Sequence, residues 1–83
     1  MMLQMVSVYD EKAKAYMPVM CYSQIGQARR AFYDAVEDPS TGLGKHPEDY
    51  KLYRLGYIDD NTGVITSIEP AELLASATDV RNQ

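Results

Sequence analysis

The chain has no tryptophan, one cysteine, one histidine and one phenylalanine in 83 residues, and each shortage closes a class of function. A single thiol, Cys21, excludes an internal disulfide framework and points to a reducing, intracellular setting. One histidine, His46, with Glu48 and Asp49 close by, is too small a donor set for a metal centre, which needs several nitrogen or sulfur ligands at fixed spacing. No nucleophile stands beside a base and no acid–base pair or triad emerges, so neither catalysis nor a cofactor is expected. Long apolar runs are missing as well. The longest uncharged stretch, residues 15–28, is broken by Pro18, Ser23, Gln24 and Gln27 and is no membrane span. The opening Met1-Met2-Leu3 leads into a strand pattern without a basic region or apolar core, as expected of a chain with no signal peptide.

A basic excess is also lacking. Twelve acids outnumber eight Lys and Arg, for a net charge of −4. Residues 1–54 are balanced, whereas Asp59, Asp60, Glu69, Glu72 and Asp79 face Arg81 alone in the remainder. Tight, non-specific binding to duplex DNA draws on an excess of cations, so any nucleic-acid contact here must be local.

What the chain does have is seven tyrosines, five methionines and an apolar fraction of 46%. That suffices for one small domain over residues 1–83. Such a domain buries only about 60% of the surface its unfolded chain exposes, so its core is thin. Residues 3–9 alternate, with Val6 and Val8 on one face and Leu3, Met5 and Tyr9 on the other, and read as a strand. A charged turn, 10–14, leads to a second strand, 16–22, in which Pro18 has no N–H for a ladder and marks an edge. Ser23 is the expected N-cap of a helix over 24–37, since Ile25, Ala28, Phe32, Ala35 and Val36 recur at helical spacing. Asp38-Pro39 ends it, and residues 40–49 form a loop. Residues 51–59 and 64–68 read as a hairpin around Asp60-Asn61-Thr62-Gly63. Pro70 opens a short helical turn through Leu74, and residues 77–83 are expected to fray.

The order β-β-α-β-β predicts an α+β fold: a four-stranded, mainly antiparallel sheet with one helix packed on one face. Ile25, Phe32 and Val36 would meet Val6, Val8, Val19 and Cys21. The other face would stay open and carry Met5, Tyr9, Tyr16, Met20 and Tyr22, with part of the Leu52, Tyr53, Tyr57 and Ile58 set. A contiguous apolar face is rarely left wet, so those five residues are the expected interface of a homo-oligomer. The same kind of surface stacks unpaired bases, with Tyr53 and Tyr57 as the candidates. Arg29, Arg30, Lys45, Lys51 and Arg54 are the candidate phosphate contacts, against the plainer reading of solvated surface charge.

Two look-alikes carry no function. Gly42-Leu43-Gly44-Lys45 lacks the first glycine of a phosphate-binding loop, where Pro39 stands, and its magnesium-binding hydroxyl, where His46 stands. Asp59–Gly63 opens like a calcium loop, but Pro70 occupies the position of the bidentate glutamate.

Several stretches are more specific. Val8-Tyr9-Asp10 with Lys12-Ala13, Asp38-Pro39, the run Gly44-Lys45-His46-Pro47-Glu48-Asp49-Tyr50, and Gly56 with Asp59-Asp60 are together similar to the small nonstructural protein of gokushoviruses. These are single-stranded DNA phages of the Microviridae, and the resemblance spans roughly residues 5–70. It implies a non-capsid, DNA-binding protein of the bacterial cytoplasm, acting where replication turns to single-stranded synthesis and packaging. Its implied partners are single-stranded DNA and phage replication or packaging proteins, with no membrane. A protein-interaction module without nucleic acid is the alternative class.

Overall fold

The structure, a computed structural model, describes residues 1–81. It is α+β, with the expected antiparallel sheet and one main helix. The strands are β1 (Met2–Asp10), β2 (Ala15–Tyr16), β3 (Met20–Tyr22), β4 (Tyr50–Asp59) and β5 (Ile65–Ser76). The helices are α1 (Ile25–Glu37), α2 (Gly42–Lys45) and α3 (Ala77–Arg81), with a 3₁₀ turn at Pro47–Asp49. β1 and β4 are central. β5 forms one edge, and β2 and β3 share the other side of β1, all antiparallel. The expected second strand is thus split in two at 17–19, around Pro18, and lies at the edge as its missing N–H requires.

Four register shifts decide which side chains share a face. Tyr9 pairs with Tyr16, but Val6 pairs with Met20, so one extra residue lies in the 17–19 break. Between Met5 and Val6 the partner on β4 moves from Gly56 to Arg54, leaving Leu55 as a bulge. On β5, Leu74 is passed over opposite the Leu52/Tyr53 step, and residues 68–71 loop out opposite Leu55. A one-residue shift moves every following side chain to the other face.

The first shift corrects the expected faces. Met20 and Tyr22, paired with Val6 and Gln4, lie on the helix side, whereas Cys21, paired with Met5, and Val19 are exposed. The core is Val6, Val8, Leu52 and Ala75 from the sheet, Ala28, Phe32 and Val36 from α1, and Ala77. Met17, Met20 and Tyr22 instead border an apolar cavity of ≈190 Å³ against Ala28, Ala31 and Phe32.

Other expectations shift locally. Gln24, not Ser23, is the N-cap of α1. The Ser23 hydroxyl and the Gln24 N–H both donate to Gln27 Oε1, at 2.8 and 3.3 Å. The 40–49 loop contains α2, because Thr41 Oγ1 donates to the Ala35 carbonyl at 2.6 Å and accepts from Gly44 N at 3.0 Å. Gly44 is required there, since a Cβ would collide with the Asp38 carbonyl. The expected helical turn at 70–74 is strand, because pairing with Tyr53 and Arg54 outweighs the local signal from Pro70. The expected frayed end instead enters α3, with Ala77 fully buried against the core. Residues 82–83 lie outside the described residues.

Candidate functional site: the uncovered face of the sheet

Helix α1 covers one face of the sheet, and the opposite face is built by pairing register alone. Across its middle run Ser7, Tyr53 and Leu73. Toward the β1–β2 turn run Tyr16, Tyr9 and Lys51, and toward the β4–β5 turn Leu3, Ile58 and Ile65. Tyr9, Tyr16 and Tyr53 form a closed group. Their ring centroids are 4.9 Å (Tyr9–Tyr16), 5.9 Å (Tyr16–Tyr53) and 6.4 Å (Tyr9–Tyr53) apart, all edge-to-face. That geometry is favourable for aromatic pairs and holds the rings in place before any ligand arrives. Tyr16 is exposed and the other two are half-buried, so the group presents ring surface to solvent.

Ser7 holds the floor of this face. It is fully buried, and its hydroxyl donates to the Met17 carbonyl at 2.5 Å, tying the irregular 17–19 edge to β1. Lys51 borders the rings and donates to Glu11 Oε1 at 2.7 Å, and this hydrogen bond raises the ammonium above its usual pKa. A polar cleft lined by Tyr9, Glu11 and Lys14 adjoins the group. Lys14 has a left-handed backbone (φ 55°) that closes the turn.

The structure divides the seven candidate nucleic-acid residues between both sides of the sheet. Tyr53 and Lys51 lie on the uncovered face. Arg54 pairs with Val6 and lies on the helix side by plain alternation from Tyr53, and Tyr57, beyond the Leu55 bulge, pairs with Gln4 and lies there too. Arg54 Nη1 donates to Gln4 Oε1 at 2.9 Å, and its Nε lies 2.8 Å from a Glu72 carboxylate oxygen without an aligned hydrogen bond. Arg29 Nε donates to the Leu74 carbonyl at 3.3 Å, bracing α1 against β5. Arg30 lies exposed on α1 and Lys45 exposed at the end of α2. Of the five candidate interface residues, Met5, Tyr9 and Tyr16 share the uncovered face. Met20 and Tyr22 do not.

Two members of this face, Ser7 and Leu73, carry no signal in the sequence. Ser7 sits between two valines with nothing to mark it as buried. Leu73 lies in the segment read as a helical turn. Tyr9 and Tyr16 were placed on this face, but their grouping with Tyr53 depends on pairing that no local pattern reveals.

Among the described residues, no group of three or more His, Cys, Asp or Glu side chains gathers in a metal-holding arrangement, and no helix is long and apolar enough to cross a membrane. A family model described as "Phage ORF5 protein" matches residues 3–80. No curated protein and no solved structure matches the chain.

Proposed function

The chain belongs to the phage ORF5 protein family, and from that premise we propose that it is a non-enzymatic phage protein that binds single-stranded DNA in the host cytoplasm. Its role is that of the gokushovirus nonstructural protein it resembles, controlling synthesis or packaging of the single-stranded genome alongside phage replication proteins. The observation that carries this reading is the pre-arranged group of Tyr9, Tyr16 and Tyr53 on a sheet face that no helix covers. Unpaired bases stack on aromatic side chains without sequence preference, at about 1–3 kcal/mol per base. Stacking needs no large basic excess, which suits a chain of net charge −4. Lys14 borders the rings and supplies a phosphate contact, whereas Lys51 can reach a phosphate only by leaving Glu11.

A strand held this way prefers single-stranded to duplex DNA, because paired bases hide their faces. It also has a shallow salt dependence, since the slope follows the number of phosphates neutralised. The test is a fluorescence-anisotropy titration of single- and double-stranded oligonucleotides at low and moderate salt. Single-strand preference with a shallow slope is the expected result. Absence of single-strand binding at low salt and micromolar protein overturns the reading in favour of a protein-interaction module.

A further inference from the structure

The uncovered face carries no unbalanced charge. Lys51 and Glu11 pair with each other at 2.7 Å, and the other positions that the register places there are apolar, tyrosine, serine or glycine. Neither edge of the sheet suits pairing with a further strand. One is broken at 17–19, where Pro18 has no N–H to give. The other loops out at 68–71, and Arg29 occupies the Leu74 carbonyl. Association is therefore steered to the face.

That face differs from end to end. Tyr9, Tyr16 and Tyr53 lie toward the β1–β2 turn, and Leu3, Ile58 and the 57%-exposed Ile65 toward the β4–β5 turn. Charge at the two ends differs too. Lys12 and Lys14 stand at the tyrosine end with no ion-pair partner among the described residues. Of the acids there, Glu11 is paired with Lys51 and Asp10 accepts from the Lys12 and Ala13 N–H groups at 2.9 and 3.3 Å. Asp59 and Asp60 stand at the aliphatic end, with the Met1 amino group 2.8 Å from Asp60.

We infer that a second copy of this chain covers the face, antiparallel along its length, so that the aliphatic end of each copy lies on the tyrosines of the other. A two-fold axis running across the strands does this and places Lys12 and Lys14 at the same end of the dimer as Asp59 and Asp60 of the second copy, offset across the sheet by about two strand spacings, ~10 Å. An axis along the strands sets lysines against lysines and acids against acids. Four strand positions about 4.8 Å apart, with the run Leu3 to Tyr9 at about 3.3 Å per residue, give a patch of roughly 450 Å² in projection. That is below the ~800 Å² per partner of a standard interface. The dimer is accordingly weak and forms and parts with concentration. Its tyrosines are those proposed to stack bases, so dimer and DNA complex exclude each other. This exclusion alone rests on the DNA reading.

Sedimentation velocity across micromolar concentrations tests the dimer. A reversible monomer–dimer equilibrium is expected. Ile65→Lys, at an exposed position, should hold the protein monomeric with an unchanged circular-dichroism spectrum. Lys12→Glu with Lys14→Glu should weaken dimerisation about five- to tenfold, each contact occurring twice. Orientation is read from Cys21, which is exposed and paired with Met5 on this face. The axis across the strands brings the two thiols within roughly 10–15 Å, within reach of a short bismaleimide, whereas the other axis puts them on opposite edges. A monomer at every concentration, or a dimer indifferent to Ile65→Lys, overturns the inference. A dimer without cross-linking overturns the antiparallel arrangement. Adding oligo-dT should dissociate the dimer. If the dimer forms and DNA does not bind, the DNA reading falls and the dimer stands. If DNA binds and leaves the dimer intact, mutual exclusion is wrong.

Discussion

The two faces of one sheet have opposite tasks. On the covered face, Val6, Val8, Leu52 and Ala75 are at most 6% exposed and meet Ala28, Phe32 and Val36 of α1. On the uncovered face Tyr16, Ile65 and Leu73 are exposed, and Tyr9, Tyr16 and Tyr53 meet edge-to-face. The first face supplies the stability of the fold. The second is held in shape by cross-strand pairing and remains available. A small domain has too little apolar surface to cover both sides of its sheet with its own helices, and the proposed dimer would cover the second side.

Substitutions on each face separate these tasks. Phe32→Ala should have the largest effect. It removes the largest side chain of the core and costs about 3–5 kcal/mol, enough to unfold a domain of ordinary marginal stability. A urea melt with an unchanged midpoint would show that the covered face is not the source of stability. Gly44→Ala and Gly56→Ala come next, at roughly 1–3 kcal/mol each, because the new methyl group meets a backbone carbonyl, of Asp38 and of Thr66 respectively. Gly26→Ala is the control. No atom lies within 4 Å of its would-be Cβ, so this helix position should gain about 0.5–1 kcal/mol.

On the uncovered face, Tyr53→Ala should cost only about 1 kcal/mol of stability, from its two ring contacts. Under the proposed function it should also lower single-strand affinity by about 1–3 kcal/mol without changing the salt slope. An altered slope would place phosphate contacts, not stacking, at that site. Ser7→Ala should cost about 1 kcal/mol by freeing the Met17 carbonyl, and amide exchange across residues 17–20 should quicken. The smallest effect concerns Asp38. Hydrogen bonds from the Ser40 hydroxyl and N–H hold its carboxyl below the usual value of 3.8. A depressed folded value adds stability above the unfolded value, and that contribution disappears as pH falls through the folded one. An NMR titration of Ser40→Ala should show Asp38 moving back toward 3.8.

Helical periodicity by itself determined α1. The positions Ala28, Phe32 and Val36 are local, and their spacing leaves one reading of which stripe is buried. The alternation around Val6 and Val8 likewise determined which side of β1 faces the core, and Pro18 determined that its neighbour lies at an edge. Tertiary structure alone decided which tyrosines meet. Nothing near Tyr57 in the chain reveals that Leu55 bulges and turns it away from Tyr53, and nothing near Met20 reveals the extra residue at 17–19 that turns it to the helix side. The long final strand belongs to the same class, since β5 resumes at Glu72 and Leu73, past the unpaired 68–71, because Arg54 and Tyr53 of β4 are there to pair with it. Helical positions follow from spacing within a single segment. Strand faces depend on the register between two segments, and a slip of one residue reverses them.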